Sequence, residues 1–138
     1  MTSRTSKASS ARPDLADAAV IVAGGRGVGS EAGLGVIEAL ADALGGAVGV
    51  TRVVSDLRWA PHDLQIGQTG KMVAPSLYVA AGVSGAIQHR AGMQSSKTIV
   101  AVNKDPKAPI FAIVDFGVVG DLHTVLPALV DEIGKRRA

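Results

Sequence analysis

The glycine-rich segment of residues 25–30 is the first part of this 138-residue chain whose composition suits a chemical task. It contains Gly25, Gly27 and Gly29 around Arg26, and it lies between an apolar run and a helical pattern. Glycines let a backbone approach a pyrophosphate closely, and a helix start offers N–H groups to anions. Ser30 replaces the last glycine of Gly-x-Gly-x-x-Gly, so the motif is imperfect. A tight turn that requires a positive φ explains these glycines equally well.

Two arginines and a serine extend the prediction of an anion site. Arg26 and Arg52 are the only arginines at the predicted strand ends. Either suits a phosphate or an electron-rich ring, although a solvated surface arginine is the simpler interpretation. Ser84 is placed to cap a helix, whose N-terminus stabilises an anion by about 0.3 to 1 kcal/mol. These features favour phosphate binding.

Several other kinds of site are excluded or disfavoured by the sequence. The chain has no cysteine, which excludes disulfides, iron–sulfur clusters, Cys-ligated zinc and thiol nucleophiles. The three histidines, His62, His89 and His123, are dispersed and lack metal-site spacing. No Ser/His/Asp order, nucleophile elbow or Gly-Lys-Ser/Thr phosphate loop occurs. We therefore expect no metal and no hydrolytic chemistry.

The charges also argue against nucleic acid as a partner. The pI is about 9.2, but six of the 14 basic residues lie in the first 12 and the last four positions. All 12 acidic residues lie within 13–134, so the body of the chain is mildly acidic. A nucleic-acid site needs clustered cations, with aromatics for stacking on single strands. The longest apolar stretch, 72–83, is also too short to span a membrane.

Five apolar runs are predicted to be the strands that position these residues. They cover 19–23, 47 to about 54, 77–83, 98–102 and 110–114. Helical spacing follows from Leu34 to Leu44, with Ser30 and Glu31 as start signals and Gly45 as a stop. Further helices are predicted from Ser84 toward Met93, and from an Asp121 N-cap to Gly134. Residues 55–71 are predicted to be a long functional loop.

This alternation predicts an α/β fold: a doubly wound, mainly parallel, Rossmann-like sheet of about five strands with helices on both faces. Ligands bind beyond the carboxyl ends of such strands, where 24–29, Thr51, Arg52, Ser84, Gly85 and Asn103 fall. We divide the chain into a flexible tail (1–16), one domain (17–134) and a basic tail (135–138). The polar start also has the composition of a short organelle transit peptide, but a disordered tail is the preferred interpretation.

Four sequence blocks together resemble the FAD-binding domain of the electron transfer flavoprotein alpha subunit. They are residues 51–52, 63–71, 84–89 and 103–106, in family order and spacing, and the likeness covers about 18–133. The resemblance implies an FAD-binding electron carrier, not an enzyme with a substrate of its own. It would take electrons from flavin dehydrogenases of the acyl-CoA dehydrogenase type, as in fatty acid β-oxidation, and pass them to a quinone reductase. A heterodimer with the beta subunit is also implied.

The resemblance also implies a role for each matching residue. The phosphate and adenosine portions of FAD would be held by Arg26, Ser84, Gly85, Ala86, Ile87, Gln88, His89, Asn103, Asp121 and Leu122. The flavin would be surrounded by Arg52, Ile66, Gly67, Gln68, Thr69 and His89, with Thr51 beside a phosphate or ring contact. Arg52 and His89 would stabilise the negative charge of a reduced flavin, and Thr69 would offer its hydroxyl to a ring nitrogen. These three are the expected flavin-tuning residues.

Some features depart from the family pattern. Thr51 stands where the family is expected to have serine, and Gly29 stands where many relatives carry a larger or basic residue. The family's alpha subunit also has a further domain before this one, which leaves a split subunit, a truncated copy and a fragment as alternatives. A non-redox module that binds AMP or FAD is the second interpretation, for which Arg26, Asn103 and Asp121 suffice. The expected location is the bacterial cytoplasm, with the mitochondrial matrix as the alternative.

Overall fold

A computed structural model describes residues 15, 18–60, 64–67, 73–83, 92–93 and 95–137. Its five strands are β1 (Val20–Gly24), β2 (Ala47–Val50), β3 (Leu77–Ala81), β4 (Thr98–Asn103) and β5 (Phe116–Val119). The helices are α1 (Leu34–Leu44), α2 (Arg52–Asp56) and α3 (Leu122–Arg137), with 3-10 turns at Arg26–Val28 and Pro109–Ala112. The strands form one sheet in the order β2-β1-β3-β4-β5, and every pair is parallel. The predicted α/β class is confirmed.

The central strands β1 and β3 are apolar throughout because both faces of the sheet are covered. Ile21 and Tyr78 point to one face, and Val22 and Val79 point to the other. All four are buried. Parallel strands with two buried faces need such continuous apolar runs, which is why the sequence identified these two strands well.

Helices α1 and α3 cover one face of the sheet. Their buried side chains include Ile37, Leu40 and Leu126, which pack on Val22 and the residues around it. In the described part of the chain, the other face is covered by apolar side chains from outside the strands: Leu15, Ile66, Val73, Met93, Ala108 and Ile110. The helix predicted from Ser84 falls outside the described residues, except that Gly92 and Met93 have helical backbone. The predicted N-terminal tail also lies outside them, apart from the buried Leu15.

Helix α1 has the predicted stop and a later start. Gly45 ends the helix with φ 69°, in the left-handed conformation that glycine adopts most easily. At the other end, Ser30 Oγ accepts a hydrogen bond from Gly33 N at 3.2 Å. Ser30 therefore orders a turn before the helix, and regular α-helix begins only at Leu34.

The second strand was predicted too long. It ends at Val50, and residues 52–56 form α2, so the predicted extended segment up to Val54 is wrong beyond Thr51. The β-branched Val53 and Val54 favoured a strand locally. Tertiary packing decides otherwise, because one turn of helix buries Val54 completely while Val53 stays 45% exposed.

The position of the fifth strand was also predicted incorrectly. Residues 110–114 are not a strand: Pro109 opens a 3-10 helix that ends at Ala112 and buries Ile110. The strand that pairs with β4 is Phe116–Val119, whose four residues are all exposed. The more apolar run is thus used as packing against the sheet, and the exposed run supplies the edge strand.

Burial of Tyr78 predicts a pH dependence of stability. Burial raises its pKa well above the ordinary value of 10.0, because the phenolate would have to form without water. Above a pH of about 10.0, the unfolded chain loses the phenolic proton while the folded chain keeps it. The free energy of unfolding therefore falls as the pH rises beyond this value. Tyr78→Phe lacks the phenolic proton, so its free energy of unfolding is expected to fall less steeply, by about 1.4 kcal/mol per pH unit.

Urea unfolding of both proteins from neutral to alkaline pH measures this difference. Tyr78 is the single tyrosine of the chain, so tyrosinate absorbance reports its titration without interference from another tyrosine. Parallel stability curves for the two proteins, or tyrosinate absorbance that appears before unfolding, would contradict the prediction.

Candidate functional site

The sheet has one position where its strand order reverses. The chain leaves β1 toward β2 on one side, and β3 leads to β4 on the other, so β1 and β3 are adjacent strands with diverging connections. Their carboxyl ends are Gly24 and Ala81, which are register partners. In open α/β sheets the crevice at such a switch point is where nucleotides bind. The candidate site is therefore built at the ends of these two strands.

The glycine-rich segment after β1 packs directly on the end of β3. Gly25 N donates to Ala81 O and Gly27 N donates to Gly82 O, both at 3.0 Å. A Cβ on Gly25 would lie 2.7 Å from Val83 Cα, and one on Gly27 would lie 2.7 Å from Gly82 Cα. These two glycines are therefore needed for contact between two backbones. Among the three, only Gly29 has the positive φ of the tight-turn interpretation, 88°.

The two arginines singled out by the sequence lie in different surroundings. Arg26 is exposed between the packed Gly25 and Gly27, at the switch point itself. Arg52 is the first residue of α2, beyond the edge strand β2. Its Nε lies 3.5 Å from Asp56 Oδ2, and both side chains are about two thirds exposed. Arg26 is therefore the switch-point cation, and Arg52 is one strand further out with a carboxylate partner.

Residues 65–67 extend the sheet beside the end of β2. Ile66 N donates to Val50 O at 2.9 Å, and Gln65 forms a parallel bridge with Val50. The Ile66 side chain is 1% exposed and lies in the core, so this residue anchors the segment to the domain. A Cβ on Gly92 would lie 2.6 Å from Gly67 Cα, so this segment also packs against Gly92.

Asn103, at the end of β4, holds the chain just after β3. Its Nδ2 donates to Val83 O at 3.0 Å, and its Oδ1 accepts from Asp105 N at 2.9 Å. The amide is thus used to fix the segment that leads into Ser84. In this structure Asn103 orients a neighbouring segment of the predicted site through the Val83 carbonyl.

The start of α3 completes the crevice. Asp121 Oδ1 accepts from His123 N at 2.9 Å, which confirms the predicted N-cap. Leu122 is buried, and its Cδ2 would lie 2.8 Å from a Cβ on Gly82, so it lies close against that turn. The sequence reasoning assigned no role to His123, whose ring reaches Val28 O at 2.8 Å. The two residues are 95 positions apart, so no local sequence pattern predicts this contact.

The predicted site residues thus fall into two described groups. Arg26, Asn103, Asp121 and Leu122 surround the ends of β1, β3 and β4, and Thr51, Arg52, Ile66 and Gly67 lie at the end of β2. The other predicted residues lie outside the described part of the chain: Gln68, Thr69, Ser84, Gly85, Ala86, Ile87, Gln88 and His89. The assignments of all these residues to FAD remain predictions.

The described residues fit a dinucleotide. At the switch point the backbones of Gly25 and Gly27 pack directly on Gly82, so the glycine-rich turn lies close against the carboxyl end of β3. The exposed Arg26 beside it supplies a cation for phosphate. Within the described ranges, no three His, Asp or Glu side chains are grouped to hold a metal ion. No helix in that part of the chain is long and apolar enough to cross a membrane.

Fold and crevice together define a nucleotide-binding α/β domain of the doubly wound class. Residues 14–94 match the electron transfer flavoprotein FAD-binding domain, and the chain belongs to this family. FAD is therefore confirmed as the cofactor of the family, as the resemblance implied.

Three relatives illustrate how far the similarity extends. Over 126 residues, 91% of this chain, it is 64% identical to the electron transfer flavoprotein subunit alpha of Mycobacterium leprae. The identity is 58% to that of Paracoccus denitrificans and 56% to the mitochondrial subunit alpha of Arabidopsis thaliana, each over 91% of the chain. The matched region spans 40%, 41% and 35% of these three relatives.

Proposed function

We propose that this chain is the FAD-binding part of an electron carrier that works as an electron transfer flavoprotein alpha subunit. The observation that carries the proposal is the glycine-rich turn packed at the switch point with the exposed Arg26 on it, in a domain of this family. When bound, FAD supplies the one-electron chemistry. The proposed donors are flavin dehydrogenases of the acyl-CoA dehydrogenase type, in fatty acid β-oxidation, and the proposed acceptor is a quinone reductase. We propose the bacterial cytoplasm as its location.

The two described groups of residues would contact different parts of FAD. Arg26 would neutralise a phosphate, while Asn103 and the Asp121-capped start of α3 would hold the surrounding backbone in position for the adenosine side. Thr51, Arg52 and Gly67 would face the flavin side, and the buried Ile66 would anchor the segment that carries Gly67. Leu122, packed against Gly82, would keep water away from the base of the crevice.

Arg52 would act on the flavin side through its charge. A cation near a ring that gains an electron stabilises the reduced state, and the effect is reduced here by the Asp56 carboxylate at 3.5 Å and by solvent. The pair is also an i,i+4 pair in a single short helix. Asp56 would therefore limit how strongly Arg52 raises the potential of the flavin.

A beta subunit is the proposed partner in a heterodimer. The relatives are named as alpha subunits, a name that implies a second kind of subunit. The exposed position of Arg52 is consistent with a flavin site that a partner completes. The chain covers about two fifths of the relatives' length, so the partner and the reaction of the whole carrier are part of the proposal.

A visible spectrum of the purified chain after incubation with FAD and removal of free ligand tests cofactor binding, with and without a beta subunit. Flavin bands that stay with the protein support the proposal. Retention of AMP with no flavin under either condition would contradict it and favour the non-redox nucleotide-binding module.

The reduction potential of the bound flavin tests the electron-carrier role. Arg52→Ala is expected to lower the potential, and Asp56→Asn is expected to raise it by about 10 to 40 mV, the range of an exposed ion pair. Glu38→Gln, which removes a carboxylate from α1, is the control. Potentials that do not differ among wild type, Arg52→Ala and Asp56→Asn would refute the tuning mechanism.

A further inference from the structure

His123 connects two parts of the chain that both border the switch point. It is the second residue of α3, and its backbone N–H is already bound by the Asp121 cap. Its ring reaches the glycine-rich turn, where Nε2 lies 2.8 Å from the carbonyl oxygen of Val28. Val28 is the buried last residue of the 3-10 turn that follows Gly25. One side chain thus bonds the start of α3 to the glycine-rich turn.

The carbonyl acceptor determines that Nε2 is the ring nitrogen that carries a hydrogen. A carbonyl oxygen only accepts, so Nε2 carries the hydrogen and donates it. This holds for the neutral Nε2–H tautomer and for the imidazolium alike. The bond is therefore a structural link between α3 and the glycine-rich turn.

The ring also lies against the start of α1. A Cβ on Gly33 would lie 3.2 Å from His123 Cε1 and would also meet the Val28 carbonyl. Gly33 is the residue directly before α1. The imidazole therefore sits where the glycine-rich turn, the start of α1 and the start of α3 meet, and the absence of a side chain at Gly33 makes room for it.

The same turn is held on its other side by β3. Gly25 and Gly27 donate to Ala81 O and Gly82 O, and Leu122 packs against Gly82. The turn, the end of β3 and the first residues of α3 thus form a closed set of contacts, in which the His123 bond joins the turn directly to α3. Arg26 is the residue between Gly25 and Gly27, so these contacts hold its backbone on both sides.

We propose that His123 is a positioning residue for the nucleotide site: it fixes the glycine-rich turn against α3 and so sets where Arg26 presents its charge. The inference rests on the proposed function, since it assigns a structural reason for phosphate binding at Arg26. It adds a residue that no sequence motif indicates.

Three variants test this role. His123→Ala removes the donor, His123→Gln keeps an N–H donor at the end of a side chain of similar reach, and Thr124→Ala alters the next exposed position of α3 as the control. In the ligand-free chain, His123→Ala is expected to increase amide hydrogen exchange at Gly27 and Gly29 about two- to tenfold, while Ile21 and Val79 in the central strands stay unchanged.

Binding of AMP gives the second measurement. His123→Ala is expected to weaken AMP binding about two- to tenfold, with His123→Gln within about twofold of wild type, as for the loss and rescue of one hydrogen bond. Unchanged exchange at Gly27 and Gly29 in His123→Ala would overturn the inference, as would equal AMP affinities of wild type and His123→Ala. If wild type binds neither AMP nor FAD, the proposed function fails, and the exchange measurement still decides whether His123 fixes the turn.

Discussion

Gly25→Ala is expected to destabilise the protein by about 2 to 4 kcal/mol, because the added methyl group has no space. The Cβ would meet Gly82 O and lie 2.7 Å from Val83 Cα and 2.9 Å from the Gly82 carbonyl carbon. These are backbone atoms, which cannot rotate away as a flexible side chain would. Gly25 has φ −109°, a conformation that alanine adopts freely, so the expected cost comes from packing alone. Urea unfolding measures it.

Gly35→Ala is the matched control for this substitution. Gly35 lies in α1, and a Cβ there would meet nothing within 4 Å. Alanine is the better helix former, so this variant is expected to gain about 0.5 to 1 kcal/mol. The same substitution should therefore lower the stability at Gly25 and raise it at Gly35. Equal stabilities of Gly25→Ala and wild type would show that the contact between the turn and β3 is not tight.

Gly25→Ala should also weaken nucleotide binding in the fraction that remains folded. The turn would have to move away from β3, and Arg26 would move with it, because the bonds to Ala81 O and Gly82 O lie on either side of that residue. AMP binding, measured well below the unfolding midpoint, tests this consequence. Wild-type affinity in a destabilised variant would separate the stability of the turn from its role in binding.

Leu126→Ala is expected to cost about 2 to 5 kcal/mol, which is the usual range for truncating a fully buried leucine. Leu126 is 0% exposed and lies in the cluster between the helices α1 and α3 and the sheet. The loss combines the transfer of the removed methyl groups with the cavity that they leave. Thermal or urea unfolding measures it.

Leu129→Ala provides a control with the same substitution in the same helix. Leu129 is 37% exposed, so its truncation is expected to cost about 1 kcal/mol. Similar losses for the two variants would mean that α3 is not anchored to the sheet through Leu126. The comparison matters for the site, because α3 brings Leu122 and His123 to the turn after β1.

Local signals in the sequence determined much of the architecture. The apolar runs of β1, β3 and β4 are recognisable because these strands have neighbours on both sides and both faces of the sheet are covered. The N-cap Asp121 and the stop at Gly45 act within one turn of helix, so their residue types alone announce them. Arg26 is also recognisable from its neighbours alone, because it lies between Gly25 and Gly27.

Other features were decided only by the tertiary structure, because they depend on which segments meet. Val53 and Val54 favour a strand by type, but burial of Val54 makes them helical. The apolar run 110–114 becomes packing, and the exposed run Phe116–Val119 becomes the strand, since pairing with β4 decides which segment extends the sheet. The bond from His123 to Val28 joins residues 95 positions apart, and no local pattern encodes such a contact.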